Sequence, residues 1–177
     1  MNNQKCEIRK SIGLLKLQNE ARRDDMSTVI LAKLEAHPLF SRAQVVALYY
    51  PLPDEVDTAG FVERWSQKKK ILLPSVTSNF EITLRMYKPG GLVKGAFGIE
   101  EPTGIPVTDY DSIDLIVVPG VAFDKKGNRL GRGKGMYDKL LKNIKAPKLG
   151  ICFPYQLLNE VPGEPHDIPM DEVITIE

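Results

Sequence analysis

Gly127, Gly131, Gly133 and Gly135 stand in a stretch from Asp124 to Asp138 that also carries Arg129, Arg132 and Lys134. Glycines remove side chains from the backbone and permit positive φ, so several N–H groups can converge on one anion. The interleaved guanidinium and ammonium groups would complete an anion cradle, and the following segment, 136–143, reads as a helix whose N-terminal dipole favours negative charge. Polyphosphate is the first ligand this chemistry suggests. A solvated basic loop has the same composition, and spacing alone leaves both readings open. Two common phosphate motifs are excluded. A Walker-type loop would require glycine at Asn128 and Ser or Thr at Gly135, and the dinucleotide fingerprint would require glycine at Met136.

Further charged residues could join that chemistry. Lys5 and Arg9 are i,i+4 neighbours on an amphipathic helix read over 5–23, a like-charged pair that two solvated cations or a shared anion would explain. Asp54 and Glu55 stand just after a strand read over 43–50, either as dipole partners of the next helix or at the strand end where open α/β sheets bind ligands. Glu164, His166, Asp167, Asp171 and Glu172 cluster near the end of the chain.

The elements that must position these groups alternate. Helices are expected over 27–36, with Ser27 as N-cap and His37 as a C-terminal cation, and over 59–68, ending in the solvated run Lys68 to Lys70. Strands are expected over 71–74, 81–87, 113–118, 146–153 and 173–176, with a short helix over 154–158. Trp65 reads as core. The glycine-rich connection 88–106 reads as irregular, with Phe97 either stacking on a planar ligand or filling the core. This alternation predicts a single three-layer α/β/α domain, 1–177, with a mostly parallel central sheet.

Composition narrows the function classes. In 177 residues, 42% hydrophobic and 27% charged, Lys plus Arg total 24 against 23 Asp plus Glu, so no global field attracts nucleic acid or an anionic membrane. Cys6 and Cys152 are expected as reduced thiols, and no segment resembles a secretion signal or a membrane span. A soluble, cytoplasmic monomer is expected.

The run Gly-Asn-Arg-Leu-Gly-Arg-Gly-Lys-Gly-Met-Tyr-Asp from Gly127 to Asp138, with Asp114 to Asp124 before it, resembles the signature of 5-formyltetrahydrofolate cyclo-ligases, also called methenyltetrahydrofolate synthetases. Lys5 and Arg9, Tyr50 with Asp54 to Thr58, and His166-Asp167 through Asp171 to Val173 follow the family's order. The resemblance covers nearly the whole chain. Met136 departs from it, standing where the family has a first tyrosine; a thioether keeps contact with a flat ring but donates no hydrogen bond.

The resemblance implies ATP-dependent conversion of 5-formyltetrahydrofolate to 5,10-methenyltetrahydrofolate, releasing ADP and phosphate, by phosphorylation of the formyl oxygen and attack by N10. It implies an ATP site of Lys5, Arg9, Arg129, Gly131, Arg132, Gly133, Lys134 and Gly135, with Arg132, Lys134 and Tyr137 catalytic. It further implies a folate site of Tyr50, Glu55 and Tyr137, with Met86 and Phe97 as weaker candidates for its wall. Mg²⁺ would be held by Asp138 and Asp167, with Asp171 in reserve. Two other readings are a phosphosugar isomerase of similar architecture and a nucleic-acid module using the Arg/Gly loop.

Overall fold

The computed structural model describes residues 2–77, 81–95 and 98–177; Phe97 lies outside them. Its helices are α1 (Asn2–Gln18), α2 (Arg23–Ala36), α3 (Pro38–Arg42), α4 (Ala59–Ser66) and α5 (Met136–Leu141). Strands β1 (Val45–Ala47), β2 (Lys70–Val76), β3 (Ile82–Met86), β6 (Leu115–Val118), β9 (Lys148–Ile151) and β11 (Glu172–Ile174) form a six-stranded sheet in the order β11-β9-β6-β1-β2-β3. All neighbours are parallel except β2 and β3, which pair antiparallel at the edge. A hairpin of β4 (Leu92–Lys94) and β5 (Glu100–Pro102), and a small sheet of β7 (Ala122–Asp124), β8 (Arg129–Leu130) and β10 (Leu157–Leu158), stand apart from it.

The pleat explains why β6 is apolar at every position. Leu115 and Val117 face one core, with Val46, Ile71 and Leu73 of the sheet and Ile30, Leu34, Phe40 and Phe61 from α2, α3 and α4. Ile116 and Val118 face the other, with Ala47, Leu72 and Leu140 and Leu141 of α5. A strand covered on both faces has no polar side to present. Each large aliphatic side chain so buried contributes about 1.5–3 kcal/mol. The sheet is therefore sandwiched as expected. α1 packs on neither core; its Ile8, Ile12 and Leu15 meet Val121, Ala122 and Leu130 in a third cluster.

Several expected elements are shorter or of another type. Asn19 ends α1, its side-chain amide donating to the Leu15 carbonyl at 2.9 Å, and after a short turn α2 starts at Arg23 instead of Ser27. Ser27 is buried within α2 and accepts the Asp57 N–H. His37 ends α2 and also caps α3, its Nδ1 accepting the Leu39 N–H while Nε2 meets Glu172 at 3.2 Å. Lys69 is half-buried; its ammonium bonds the Ala43 carbonyl at 2.6 Å and lies over Trp65 and Phe40. The connection 88–106 carries the β4–β5 hairpin, tied to β2 by the buried Glu101, which accepts from Ser75 Oγ and Val76 N–H. Only the first part of the segment 154–158 is helical, a single 3-10 turn over Pro154–Gln156. Gln156 draws it into a turn by accepting the Phe153 N–H and donating to the Gly120 and Val121 carbonyls, which delivers Leu157 and Leu158 to β7 as a parallel strand.

Strand order reverses between β6 and β1: β9 and β11 extend one way, β2 and β3 the other. Such a switch point leaves a crevice beyond the strands' C-terminal ends.

Candidate active site

A cavity of about 480 Å³ opens at that crevice. It is lined by Tyr49, Tyr50, Leu52 and Glu55 after β1, by Pro74 and Val76 at the end of β2, and by Pro119 and Gly120 after β6. The glycine-rich segment 129–138 forms another wall, and Lys5 and Arg9 of α1 with Glu164, His166 and Asp167 complete it. The expected ATP, folate and metal residues therefore meet in one cavity, while the reserve Asp171 does not. That carboxylate bonds the Lys148 N–H at 2.7 Å, at the opposite, N-terminal end of β9. Met86 also lies elsewhere, packed with the core that contains Leu72.

The loop is held at its root by the fully buried Asp124. Its carboxylate accepts from Lys126 N–H, Asn128 N–H, the Asn128 amide and Val161 N–H at 2.8–3.0 Å. Burial works to raise the Asp124 carboxyl, but these donors win and hold it below the ordinary carboxylate value. Gly127 passes so close to the Met170 carbonyl that a side chain there would collide with it. Farther along, Arg9 Nε donates to the Gly131 carbonyl at 2.9 Å, and Gly133 and Gly135 adopt positive φ of 98° and 62°. α5 begins directly after Gly135.

The basic residues differ in what they face. Arg129 is buried, 3.2 Å from Asp138 and over the Tyr137 ring at 5.5 Å, and thus braces the start of α5 from below. Lys5 reaches Glu164 at 2.7 Å and Asp167 at 3.1 Å. Partial burial opposes its charge, yet the two carboxylates outweigh that and raise it above an ordinary lysine. Lys5 in turn lowers the Glu164 carboxyl; Asp167, pushed up by burial, is brought down further by the Glu164 N–H and Lys5. Glu164, His166 and Asp167 bring one potential ligand atom each within 4.8 Å of one another, a hard-oxygen cluster with one imidazole. Asp138 accepts from Arg129 on the same side of the cavity.

The opposite wall is aromatic and acidic. Glu55 accepts the Leu52 N–H at 3.0 Å and faces Arg132 at 3.1 Å. Tyr137 is driven well above the ordinary phenol value by burial and by the charge of Glu55, against the opposing pull of Arg129, so its hydroxyl stays protonated and can donate. Tyr50 is raised by burial and nearby Glu100. Met136 lines the cavity beside Tyr137, where its thioether adds apolar surface.

Two supporting residues had no role assigned from sequence, Asp124 and Lys16, while Asp54 and Glu164 were named without their partners Lys16 and Lys5. Lys16 is 6% exposed and 2.7 Å from Asp54. Its spacing was the available signal, because Lys5, Arg9 and Lys16 fall on one helical stripe.

The chain as a whole is similar to known proteins. A model of the 5-formyltetrahydrofolate cyclo-ligase family matches residues 1–176. The 5-formyltetrahydrofolate cyclo-ligase of Haemophilus influenzae is 31% identical over 189 residues, covering 98% of this chain and 99% of the relative. The solved structure of Aquifex aeolicus 5,10-methenyltetrahydrofolate synthetase superposes with a TM-score of 0.87 at 39% identity, covering 97% of this chain and 89% of that one. The Mycoplasma pneumoniae synthetase superposes with a TM-score of 0.77 at 26% identity, covering 98% and 99%.

Proposed function

The chain belongs to the 5-formyltetrahydrofolate cyclo-ligase family, and from that premise we propose how its cavity performs the ATP-dependent ligase reaction. The product is 5,10-methenyltetrahydrofolate, with ADP and phosphate released. The formyl oxygen attacks the γ-phosphorus and ADP departs, leaving an O-phosphorylated, cationic carbon on N5. N10 adds to that carbon and loses its proton to solvent; phosphate then leaves with the C–O electrons and the methenyl bridge remains.

One observation carries this reading: a single cavity is lined by a basic glycine loop running into Tyr137 and, across from it, by Tyr50 and Glu55. Phosphoryl transfer requires alignment and charge neutralisation more than a protein nucleophile. Arg132 and Lys134 supply that neutralisation, Lys5 and Arg9 add to it from α1, and the N–H groups of Gly131, Gly133 and Gly135 bind phosphate oxygens. Arg129 serves indirectly by holding Asp138 and Tyr137. Glu55 accepts from the pterin's amino and ring N–H groups, Tyr50 covers its face, and the protonated Tyr137 donates to the transferring oxygen. Mg²⁺ bound with ATP would neutralise phosphate charge, and the hard oxygens of Asp138 and Asp167 suit it, since the ion takes only one or two protein carboxylates.

Residues 1–177 act as one cytoplasmic, monomeric domain in this reading. The net charge of +1 supports it, as do the unpaired Cys6 and Cys152. Among the described residues no helix is long and apolar enough to cross a membrane. The phosphosugar and nucleic-acid readings find no support among the relatives.

The test is the near-ultraviolet absorbance of the methenyl product, followed with purified protein, 5-formyltetrahydrofolate and ATP. Absorbance should rise only with ATP, stop on chelation of divalent ions and resume with added Mg²⁺. Conversion without ATP, or none with it, would overturn the reading.

A further inference from the structure

Arg132 belongs to the glycine-rich loop, but its guanidinium reaches the opposite wall. Nη2 lies 2.6 Å from Asp54 Oδ1 and 3.1 Å from Glu55 Oε1. Asp54 is not among the cavity-lining residues, and Lys16 anchors it from behind at 2.7 Å. Partial burial works to raise the Asp54 carboxyl; the bonds to Lys16 and Arg132 outweigh it, so the anchor stays ionised. Glu55 is engaged on both oxygens, Oε2 by the Leu52 N–H and Oε1 by Arg132. One guanidinium thus occupies a carboxylate oxygen on the folate wall while standing on the wall that faces phosphate.

We propose that Arg132 couples the two substrates, so that binding of either strengthens binding of the other. The inference rests on the functional reading above. A phosphate that draws Arg132 to itself releases Glu55 Oε1, which can then accept from the pterin's N–H donors. A pterin that takes Glu55 Oε1 releases Arg132 towards phosphate by the same exchange. Glycines on both sides of Arg132, with Gly133 at a φ of 98°, let the loop carry the guanidinium between the two positions. Asp54 sets how hard the exchange is, because it holds Arg132 without facing either substrate.

Linkage fixes the arithmetic. If both substrates bind only the released arrangement, the coupling factor is one plus the ratio of paired to released protein, and it is identical in the two directions. Arg132 is 45% exposed along its side chain, so its ion pairs are partly screened and hold it only moderately. A factor of about five to ten is expected, at the low end of measured couplings.

Calorimetric titration of the full chain with 5-formyltetrahydrofolate, with and without saturating β,γ-methylene-ATP, reads this factor; the reverse titration must return the same value. In Arg132→Ala the factor should fall to unity, and folate alone should bind as tightly as it does to the wild type saturated with the analogue. A gain of affinity is not what structural damage produces. In Asp54→Asn both ligands alone should bind more tightly and the factor should shrink, with a thermal melt confirming the fold. Independent binding of both ligands to the wild type overturns the coupling and leaves the functional reading intact, as does a factor that survives in Arg132→Ala. Failure of the wild type to bind folate at all overturns both.

Discussion

Gly127 and Gly135 both adopt positive φ, at 86° and 62°, yet their surroundings are opposite. A methyl group at Gly127 would strike the Met170 carbonyl, whose own N–H bonds the Gly127 oxygen at 2.8 Å. A methyl group at Gly135 meets nothing within 4 Å. The same residue type therefore serves two purposes in one loop. At the root it permits close backbone packing beside Asp124. At the tip it permits a left-handed backbone turn at the cavity wall, with open space beside it. The loop is tightly packed where it joins the sheet and open where it lines the cavity.

The largest test of this contrast is Gly127→Ala. Collision and backbone strain together should cost about 3 kcal/mol, lowering the melting temperature by about 10 °C in differential scanning calorimetry. An unchanged melting point would show that the root is not tightly packed. Asp124→Asn comes next, at about 2 kcal/mol, because one acceptor oxygen is replaced by an amide facing N–H donors. It also has a pH signature. The native Asp124 carboxyl titrates below its ordinary value of 3.8, so its contribution is complete above that value and disappears as pH falls through the lowered native one. Wild-type stability should therefore drop on acidification below about pH 4, and the variant should lose less over the same range. Parallel pH profiles for the two proteins would remove Asp124 from that role. The smallest effect on stability is expected at Gly135→Ala, about 1 kcal/mol from the left-handed backbone alone. Its effect should appear in catalysis instead, with the KM for ATP raised about tenfold and that for folate unchanged. A KM change shared by both substrates would erase the distinction between root and tip.

Much of this architecture was legible because it depends on local pattern. The apolar run of β6 announces a strand covered on both faces, and the glycines between Arg129 and Met136 announce a backbone that must turn tightly. What escaped depends on partners distant in sequence. Lys16 looks solvent-facing until Asp54 arrives from beyond β1, and Leu157 and Leu158 look helical until Gln156, bonded to the Gly120 and Val121 carbonyls, turns them onto β7. The short strands β7, β8 and β10 have too few residues for a period to register, and their pairing is set by Asp124 and Gln156. Glu164 was visible in the acidic cluster, but its bond to Lys5 joins positions 159 residues apart. No local periodicity encodes such a pair.

α1 is made early in synthesis, yet everything it does for the site waits on residues made late. Arg9 meets Gly131 across 122 positions, and Lys5 meets Asp167 across 162. A nascent chain can form this helix within its first turns of growth and still have nowhere to put it, because the surface that receives Ile12 is built from Val121, Leu130 and Val161. Contacts of such long range form slowly and late in folding. The helix acts as a clasp that shuts only once the segments from Val121 to Asp167 are in place.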